Sequence, residues 1–545
     1  MNESCHEFQF CKSLYRTEQY EFHLQAKGNR TLFRIIERVA PYCYNSNNEE
    51  STIHKPMNQF KATMSRLFQP AADQRLVSWL FLRLLALVYL AAFASLSSQI
   101  TGLVGESGIL PLSEHFSLAG EYYGERARLW FPSIFWITGT SDLALKSVSL
   151  LGILFSLILL FGRWQRLTLI LLFLLYLSLY HAGQIFTNFQ WDTLLLETGF
   201  LAIFLVGGGN LLLIFLFDWL LFRMRFMSGL FKLVSGDPSW SGLTALNHYF
   251  ETQPLPHIGA WYAHQLPELF LKAGVILTLF SELLVPFLIF FPRRFRYFAA
   301  STTILMQLLI IATSNHNFIN LLTIILCLFL LHDPLLKRML PASLQERIET
   351  PVQSPGRLRT VLIVTASLLI VPASLISFGA NLVRTQAVPT VIQDFSKTVQ
   401  RFGIGHIFHI FPTMQTERHE LVIQGSNDGR LWQTYDFKYK PGDPTRAPGM
   451  IIPHQPRLDW MIWFVPTQQP LQMNWFGRFV ERLHQGSETV TALLEHNPFP
   501  DDPPRYLRVD SFEYRFTSVE EREQSGNWWH MEYQGFFPKV APRIP

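Results

Sequence analysis

The chain has 545 residues, 49% of them hydrophobic and 16% charged, with 47 Phe and a formal net charge of +4. That profile excludes one ordinary soluble domain and fits a membrane protein diluted by a sizeable polar part. No Lys/Arg-rich stripe with interleaved aromatics supports nucleic-acid binding, and four cysteines without a CxxC motif support neither a zinc ribbon nor thioredoxin-type chemistry.

Residues 1–60 are polar and mixed and lack the basic–apolar–small pattern of a signal peptide. They read as a cytosolic extension or as the product of an upstream start, since Met57 and Met64 both precede the first apolar run. From residue 76 to 379, apolar runs long enough to cross about 30 Å of hydrocarbon recur. About nine are expected, near 77–100, 144–161, 167–183, 193–209, 211–235, 269–291, 297–313, 318–332 and 360–379. The loops between them test the count. Arg66, Arg75 and Arg83, Arg163 and Arg166, Arg293, Arg294 and Arg296, then Lys337, Arg338, Arg347, Arg357 and Arg359 all fall on one side. The alternate loops "GQIFTNFQWD", "SNHN" and 236–268 carry no Lys or Arg. The positive-inside rule then places the N-terminus in the cytosol and residues 380–545 on the outer, periplasmic or lumenal face.

The stretch "NFQWDTLLLETGFLAIFL" puts two carboxylates in a helix that is otherwise greasy. Asp192 and Glu197 are five residues apart, about 140° around a helix, so they form no same-face acid/base pair of the glycosidase kind. Asp192 reads as a cap or interface anchor beside Trp191. Glu197 is about 7.5 Å deeper and requires a buried donor. Arg225 or Lys232 is the natural partner, with Tyr180 or His181 next. Asp218, Arg225 and Lys232 are seven apart and share one face with Gly229. Such a stripe lines an outward-opening polar cavity or locks its helix to neighbours by ion pairing, because exposure to lipid costs about 2.5–3.5 kcal/mol per charge on insertion scales.

In the next outer loop, "NHYFETQPLPHIGAWYAHQLPE", the candidate site residues are His248, Glu251 and His264. The three-residue spacing of His248 and Glu251 suits a metal on a helix, yet Pro254 and Pro256 end any helix near Thr252 and no HExxH occurs. No metal or cofactor is expected, and the motifs of P-loop, dinucleotide-binding and α/β-hydrolase folds are missing.

Beyond residue 380 the chain reads as a β-rich α+β domain. Runs 419–424 and 431–440 flank "GSNDG", a hairpin signal. "PPRYLRVDSFEYRFTS" and "WWHMEYQGFF" read as further strands, and "NWFGRFVERLH" and "SETVTALLEH" as helices, the second capped by Ser487. Between them, "KYKPGDPTRAPGMIIPHQPRLDWMIWF" concentrates Arg446, His454, Arg457, Asp459, Trp460 and Trp463. This stretch is either a pinned irregular connection or a binding surface, and its aromatics, with those following, are placed to dock on the membrane interface.

Together "FQWDTLLLETGFLAIF", "FKLVSGDPSW", "HYFETQPLPHIGAWYAHQLPE", "YKPGDPTRAPGMIIPHQPRLDWMIWF", "LLEHNPFPDDPPRYLRVDSFEYRF" and "GNWWHMEYQGFFP" resemble the lipase maturation factor family. The resemblance runs, in matching order, from about residue 76 to 540. It implies a multi-pass membrane assembly factor, whose animal members sit in the endoplasmic reticulum and help dimeric secreted lipases such as lipoprotein lipase to an active fold. It brings no catalytic residues, and it places client handling in the C-terminal part, on the six residues just named. The helical part is also distantly similar to that of vitamin K-dependent carboxylase, so a membrane enzyme using the buried charges is the alternative. A transporter is disfavoured by the lack of visible inverted repeats. The outer segments have neither Cys nor an Asn-x-Ser/Thr acceptor, which favours a bacterial inner membrane over the endoplasmic reticulum. The expected division is 1–60 as an extension, 61–379 as a helical transmembrane domain and 380–545 as a β-rich outer domain, with an exported lipase or other client and the bilayer as partners.

Overall fold

A computed structural model describes residues 67–338, 341, 356–382, 388–467 and 473–538. The N-terminal extension, with Arg66, lies outside the described residues, as do Arg347 and most of the expected linker 341–359. The principal helices are α1 (Arg75–Ser97), α2 (Leu112–Tyr123), α3 (Asp142–Leu160), α4 (Gln165–Ala182), α5 (Gln190–Leu205), α6 (Leu211–Val234), α7 (Ala245–Thr252), α8 (Ile258–His264), α9 (Glu268–Leu283), α10 (Arg293–Thr313), α11 (Ile319–Leu326), α12 (Arg357–Leu382), α13 (Thr390–Gln400), α14 (Arg457–Ile462), α15 (Asn474–His484) and α16 (Val519–Ser525). The strands are β1 (Arg418–Ser426), β2 (Gln433–Thr434), β3 (Tyr506–Phe516) and β4 (Trp529–Phe536).

Each of the nine apolar runs coincides with a helix, but among the described residues six helices are long and apolar enough to cross a membrane: α1, α3, α4, α9 with its 3-10 continuation to Phe290, α10 and α12. The other three fall short for separate reasons. Helix α5 has only 16 residues, and α11 with its continuation to Leu330 is also short. Helix α6 has 24 residues but carries Asp218, Arg223, Arg225 and Lys232.

Apolar surface separates the outer helices from the inner ones. On α3, Leu143, Leu150, Leu154 and Leu157, with Phe161 just past its end, are all exposed at seven- and four/three-residue intervals, so they form one stripe. A continuous apolar stripe of that length matches lipid rather than water. The faces of α5 and α6 are buried instead, and small residues let the inner helices close. A Cβ on Gly152 would stand 2.1 Å from the Phe93 ring, and one on Gly199 only 1.7 Å from the Tyr89 hydroxyl.

The C-terminal part builds one antiparallel sheet in the order β2-β1-β3-β4, with β1 and β3 paired from Arg418↔Tyr514 to Ser426↔Tyr506. The "GSNDG" turn is held as its residue types require: Ser426 Oγ accepts from Gly429 N–H at 2.9 Å, and Asp428 Oδ1 from the N–H groups of Arg430 and Leu431 at 2.8 and 2.9 Å. The second expected strand shrinks to two residues, because Asp436 bridges to His496 and Asp459 captures the Tyr439 and Lys440 amides. Ser487 stands at a helix start, but its hydroxyl donates to Ser107 O instead of capping. One contiguous apolar core runs from the helices into this part, from Ala71 to Phe499.

The tight α1–α3 contact makes a specific expectation. Gly152→Leu should destabilise the protein by about 1–3 kcal/mol through overpacking, read as a lower unfolding temperature in detergent. Gly120→Ala, whose Cβ meets nothing within 4 Å, should leave that temperature unchanged.

Candidate functional site

Asp192 opens α5, where its charge suits the positive helix end, yet it is only 1% exposed. Its partner comes from the C-terminal part. Arg457 donates from Nη1 to Asp192 Oδ2 at 2.6 Å and from Nη2 to Oδ1 at 2.7 Å, a two-pronged charge-assisted bond. Tyr176 Oη donates to Oδ1 at 2.6 Å, and Arg457 Nη1 also reaches Phe186 O at 2.8 Å. The Trp191 and Trp460 rings meet edge to face at 5.1 Å beside the pair.

Glu197 is completely buried one and a half turns further along α5. It forms an ion pair with Arg223 of α6, itself fully buried, and its second oxygen accepts from Gly405 N–H at 2.8 Å. Arg223 donates onward to His406 O at 2.8 Å. Lys232 donates to Glu282 of α9 at 2.8 Å and to Ile410 O at 2.8 Å, and Arg225 approaches the same Glu282 at 3.4 Å. Gln190 Oε1 accepts from His409 N–H at 2.9 Å, and His181 Nε2 donates to Arg401 O at 2.8 Å. Residues 401–410 are therefore a strap whose backbone is held by side chains of α4, α5 and α6. The strap's close approach requires glycine at 403: φ is +71°, and a Cβ would lie 2.6 Å from Leu196.

These contacts correct several expectations. The partner of Glu197 is Arg223, not Arg225 or Lys232, and Tyr180 and His181 bond to Asn188 and Arg401. Asp192 is a buried ion-pair member and not an interface anchor. The stripe residues are separated by their partners: Asp218 is gripped by Arg296 at 2.9 and 3.3 Å, while Arg225 and Lys232 share Glu282. Asp218 and Arg296 neutralise each other, and two cations share the single Glu282 carboxylate, contacts that tie α6 to its neighbours.

In the outer loop, α7 ends at Thr252 as Pro254 requires. Glu251 and His264 approach to 3.9 Å, and Glu251 Oε2 accepts from Phe516 N–H at 2.5 Å. Burial raises the Glu251 carboxyl and lowers the His264 imidazole, the latter also depressed by nearby His248. No group of three His, Cys, Asp or Glu side chains positioned for a metal occurs among the described residues. The loop's main anchor is one that sequence reasoning missed. Buried Arg418 donates to the carbonyls of Glu251, Gln253 and Pro254 and to Glu420, whose other oxygen accepts from Lys440 at 2.8 Å. The alternation of β1 would place Arg418 and Glu420 on one face, which was the available signal.

Of the residues expected to form a client surface, Arg457, Asp459 and Trp460 are buried. Asp459 accepts from the Tyr439 and Lys440 amides, and Trp463 Nε1 donates to Thr252 O at 2.7 Å. His454 packs on Tyr439, and only Arg446 is exposed, its guanidinium bonded to the Phe437 and Lys438 carbonyls. The flanking chain is stitched to the helices: Asn315 bonds Gly449 and Ile451, Asn317 bonds Gln455, and Gln99 bonds both Gln455 and Arg457. The stretch is a docking segment facing inward, and Trp460 and Trp475 are packed against protein instead of the membrane interface.

Two family models match the chain: the lipase maturation factor transmembrane domain over residues 76–338 and the lipase maturation factor C-terminal domain over 405–538. The chain is 34% identical to lipase maturation factor 2 of Xenopus laevis, the match covering 86% of this chain and 83% of that protein. It is 32% identical to the human lipase maturation factor 2 over the same shares, and 32% identical to lipase maturation factor 1 of Mus musculus over 89% and 92%. No solved structure matches.

Four histidines outside the spans make stability depend on pH. Burial pushes His115, His316, His406 and His454 down to about 4. Unfolded, each binds a proton near 6.5; the folded state does not until about 4, so the unfolded state holds more protons between those values. Stability should therefore fall as pH drops from 6.5 toward 4, by up to about 1.4 kcal/mol per unit for each group. Unfolding temperature measured against pH, with His454→Gln flattening the slope, checks this; a flat profile over that window would contradict it.

Proposed function

The chain belongs to the lipase maturation factor family, and on that premise we propose that it is a membrane-embedded maturation factor that helps lipases reach an active fold. The observation that carries the mechanism is the Asp192–Arg457 pair, which joins a residue of the transmembrane family segment to one of the C-terminal segment. The helical part is then a platform that fixes the orientation of the C-terminal part. That part presents its sheet to a client that has not finished folding, and the work is binding, without covalent chemistry. The family's name supports this chaperone-like role, and no observation favours the enzyme alternative.

The division into an N-terminal extension to residue 60, a helical part to 379 and an outer part from 380 is part of the proposal, with the qualification that the last two share a core. Secreted lipase clients are inferred from the names of the relatives. The bias of Lys and Arg among the loops supports a cytosolic N-terminus and an outer C-terminal part. The lack of Cys and glycosylation acceptors in the outer segments remains the support for a bacterial inner membrane. The relatives named above are vertebrate proteins and lend that choice none.

In cells secreting a dimeric lipase and lacking their own maturation factor, the full chain should restore lipase specific activity at constant lipase mass. A chain truncated before Gly405 should not; equal rescue by the truncated chain would sink the proposal. For orientation, a cysteine replacing exposed Arg446 should react with a membrane-impermeant maleimide from the outer face of intact cells or sealed vesicles. A cysteine replacing Lys337 should react only after permeabilisation, and the reverse pattern would invert the topology.

A further inference from the structure

Helix α8 is fixed at the point where two spans end. His257 Nδ1 accepts from Gly259 N–H at 2.9 Å, and its Nε2 donates at 3.1 Å to Ile311 O, in the last turn of α10. The approach to α10 is close enough to need glycine: a Cβ on Gly259 would stand 2.0 Å from Ala312 O. On the other side Pro267 closes the connection and α9 begins at Glu268. Because α9 and α10 are both long and apolar enough to cross a membrane, α8 stands at the level where hydrocarbon gives way to water.

The helix divides its apolar side chains between two surroundings. Ala260, Trp261 and Ala263 are buried in a cluster with Phe516, Trp528 and Trp529 of the C-terminal part. Trp261 meets Trp528 edge to face at 5.3 Å, and Gln265 Nε2 donates to Thr517 O at 3.1 Å. Ile258 and Tyr262, four residues apart and so on one face, are exposed. Leu266 is exposed too, and with Leu269 it carries the apolar surface into α9. There Leu269, Ile276 and Phe280 are exposed at seven- and four-residue intervals, one stripe of the kind that faces lipid on α3. The open face of α8 is therefore continuous with a lipid-facing stripe. The charges at the junction, Glu268 and Lys272, pair with each other at 2.8 Å. A tyrosine with an apolar ring and a hydroxyl that seeks water is a residue type favoured at a membrane boundary.

We propose that α8 lies in the membrane interface at the outer ends of α9 and α10. Ile258, Tyr262 and Leu266 sit among phospholipid headgroups and the upper acyl chains, as in helices that lie in the interface plane. Through Trp261 and Gln265 the same helix holds the sheet at the lipid surface. The membrane docking that composition suggested for the segment around Trp460 falls on α8 instead. The inference rests on α9 and α10 being spans, and is independent of which client the C-terminal part receives.

The test uses the full-length chain, its own cysteines replaced by alanine, in phosphatidylcholine nanodiscs. Single cysteines replacing Tyr262 and Leu266 carry a fluorophore, and a third replaces Leu431, exposed after the hairpin turn. Nitroxide lipids labelled near the headgroup should quench the first two labels at least twofold more than lipids labelled at the chain end. Aqueous iodide should quench them at least twofold less than the label at 431. Equal quenching by iodide at all three positions puts α8 in water, and stronger quenching from the chain end puts it in the hydrocarbon core. Protection from both iodide and lipid means that protein covers the face. Each of these three results overturns the proposal. The link to the sheet is read separately. Leu266→Asp, a change at an exposed position, should speed hydrogen exchange of the Thr517 and Trp528 amides at least threefold in nanodiscs. Unchanged exchange would overturn the claim that the sheet is held at the lipid surface through α8.

Discussion

A carboxylate buried in an apolar helix must be met by a cation, and for Asp192 that cation stands 265 residues later in the chain. Both members are about 1% exposed, so neither can fall back on water if the other is lost. The fold around them follows from satisfying this requirement. Gln99 fixes the Arg457 backbone, Tyr176 and Phe186 complete the hydrogen bonding, and Trp191 and Trp460 exclude solvent. The C-terminal part consequently has one seating on the helices.

The same logic is repeated along α5 and α6. Glu197 and Arg223 satisfy each other and still have capacity for Gly405 N–H and His406 O; Lys232, paired to Glu282, holds Ile410 O. The Glu197–Arg223 pair thus makes two bonds to the backbone of the strap and Lys232 makes one. Backbone amides and carbonyls that would otherwise be buried without partners are thereby satisfied. The charges that look out of place in apolar helices are what orders a connection with no regular structure of its own. The C-terminal part is seated rigidly, its sheet packing Tyr514, Phe516 and Trp529 against Phe250 and Trp261 of α7 and α8.

Much of this was legible in the sequence. Apolar runs located every long apolar helix, and β-rich runs with a hairpin turn signal located β1, β3 and β4, because those signals are local. The need of Glu197 for a buried donor was legible too, but not the donor's identity. Arg223 and Arg225 differ by two positions, about 200° around α6, so one meets α5 and the other α9. Only the packing of three helices decides which does which. The segment around Arg457 left two readings open, a pinned connection and a binding surface, for a related reason. A cluster of charges and tryptophans has the composition of an exposed recognition surface, and its burial depends on Asp192, Asn315 and Gln99, all distant in sequence. The second hairpin strand was lost to Asp459 in the same manner.

The most direct measurement is a double-mutant cycle on Asp192 and Arg457, with Asp192→Leu, Arg457→Leu and the double variant unfolded reversibly in mixed micelles. If the pair is the lock described, each single variant costs about 3–5 kcal/mol by stranding a buried charge. The double variant then costs little more than either single one, and both singles lose protease protection around residues 405–411. Costs that add to within about 0.5 kcal/mol, the behaviour of independent sites, would contradict the account.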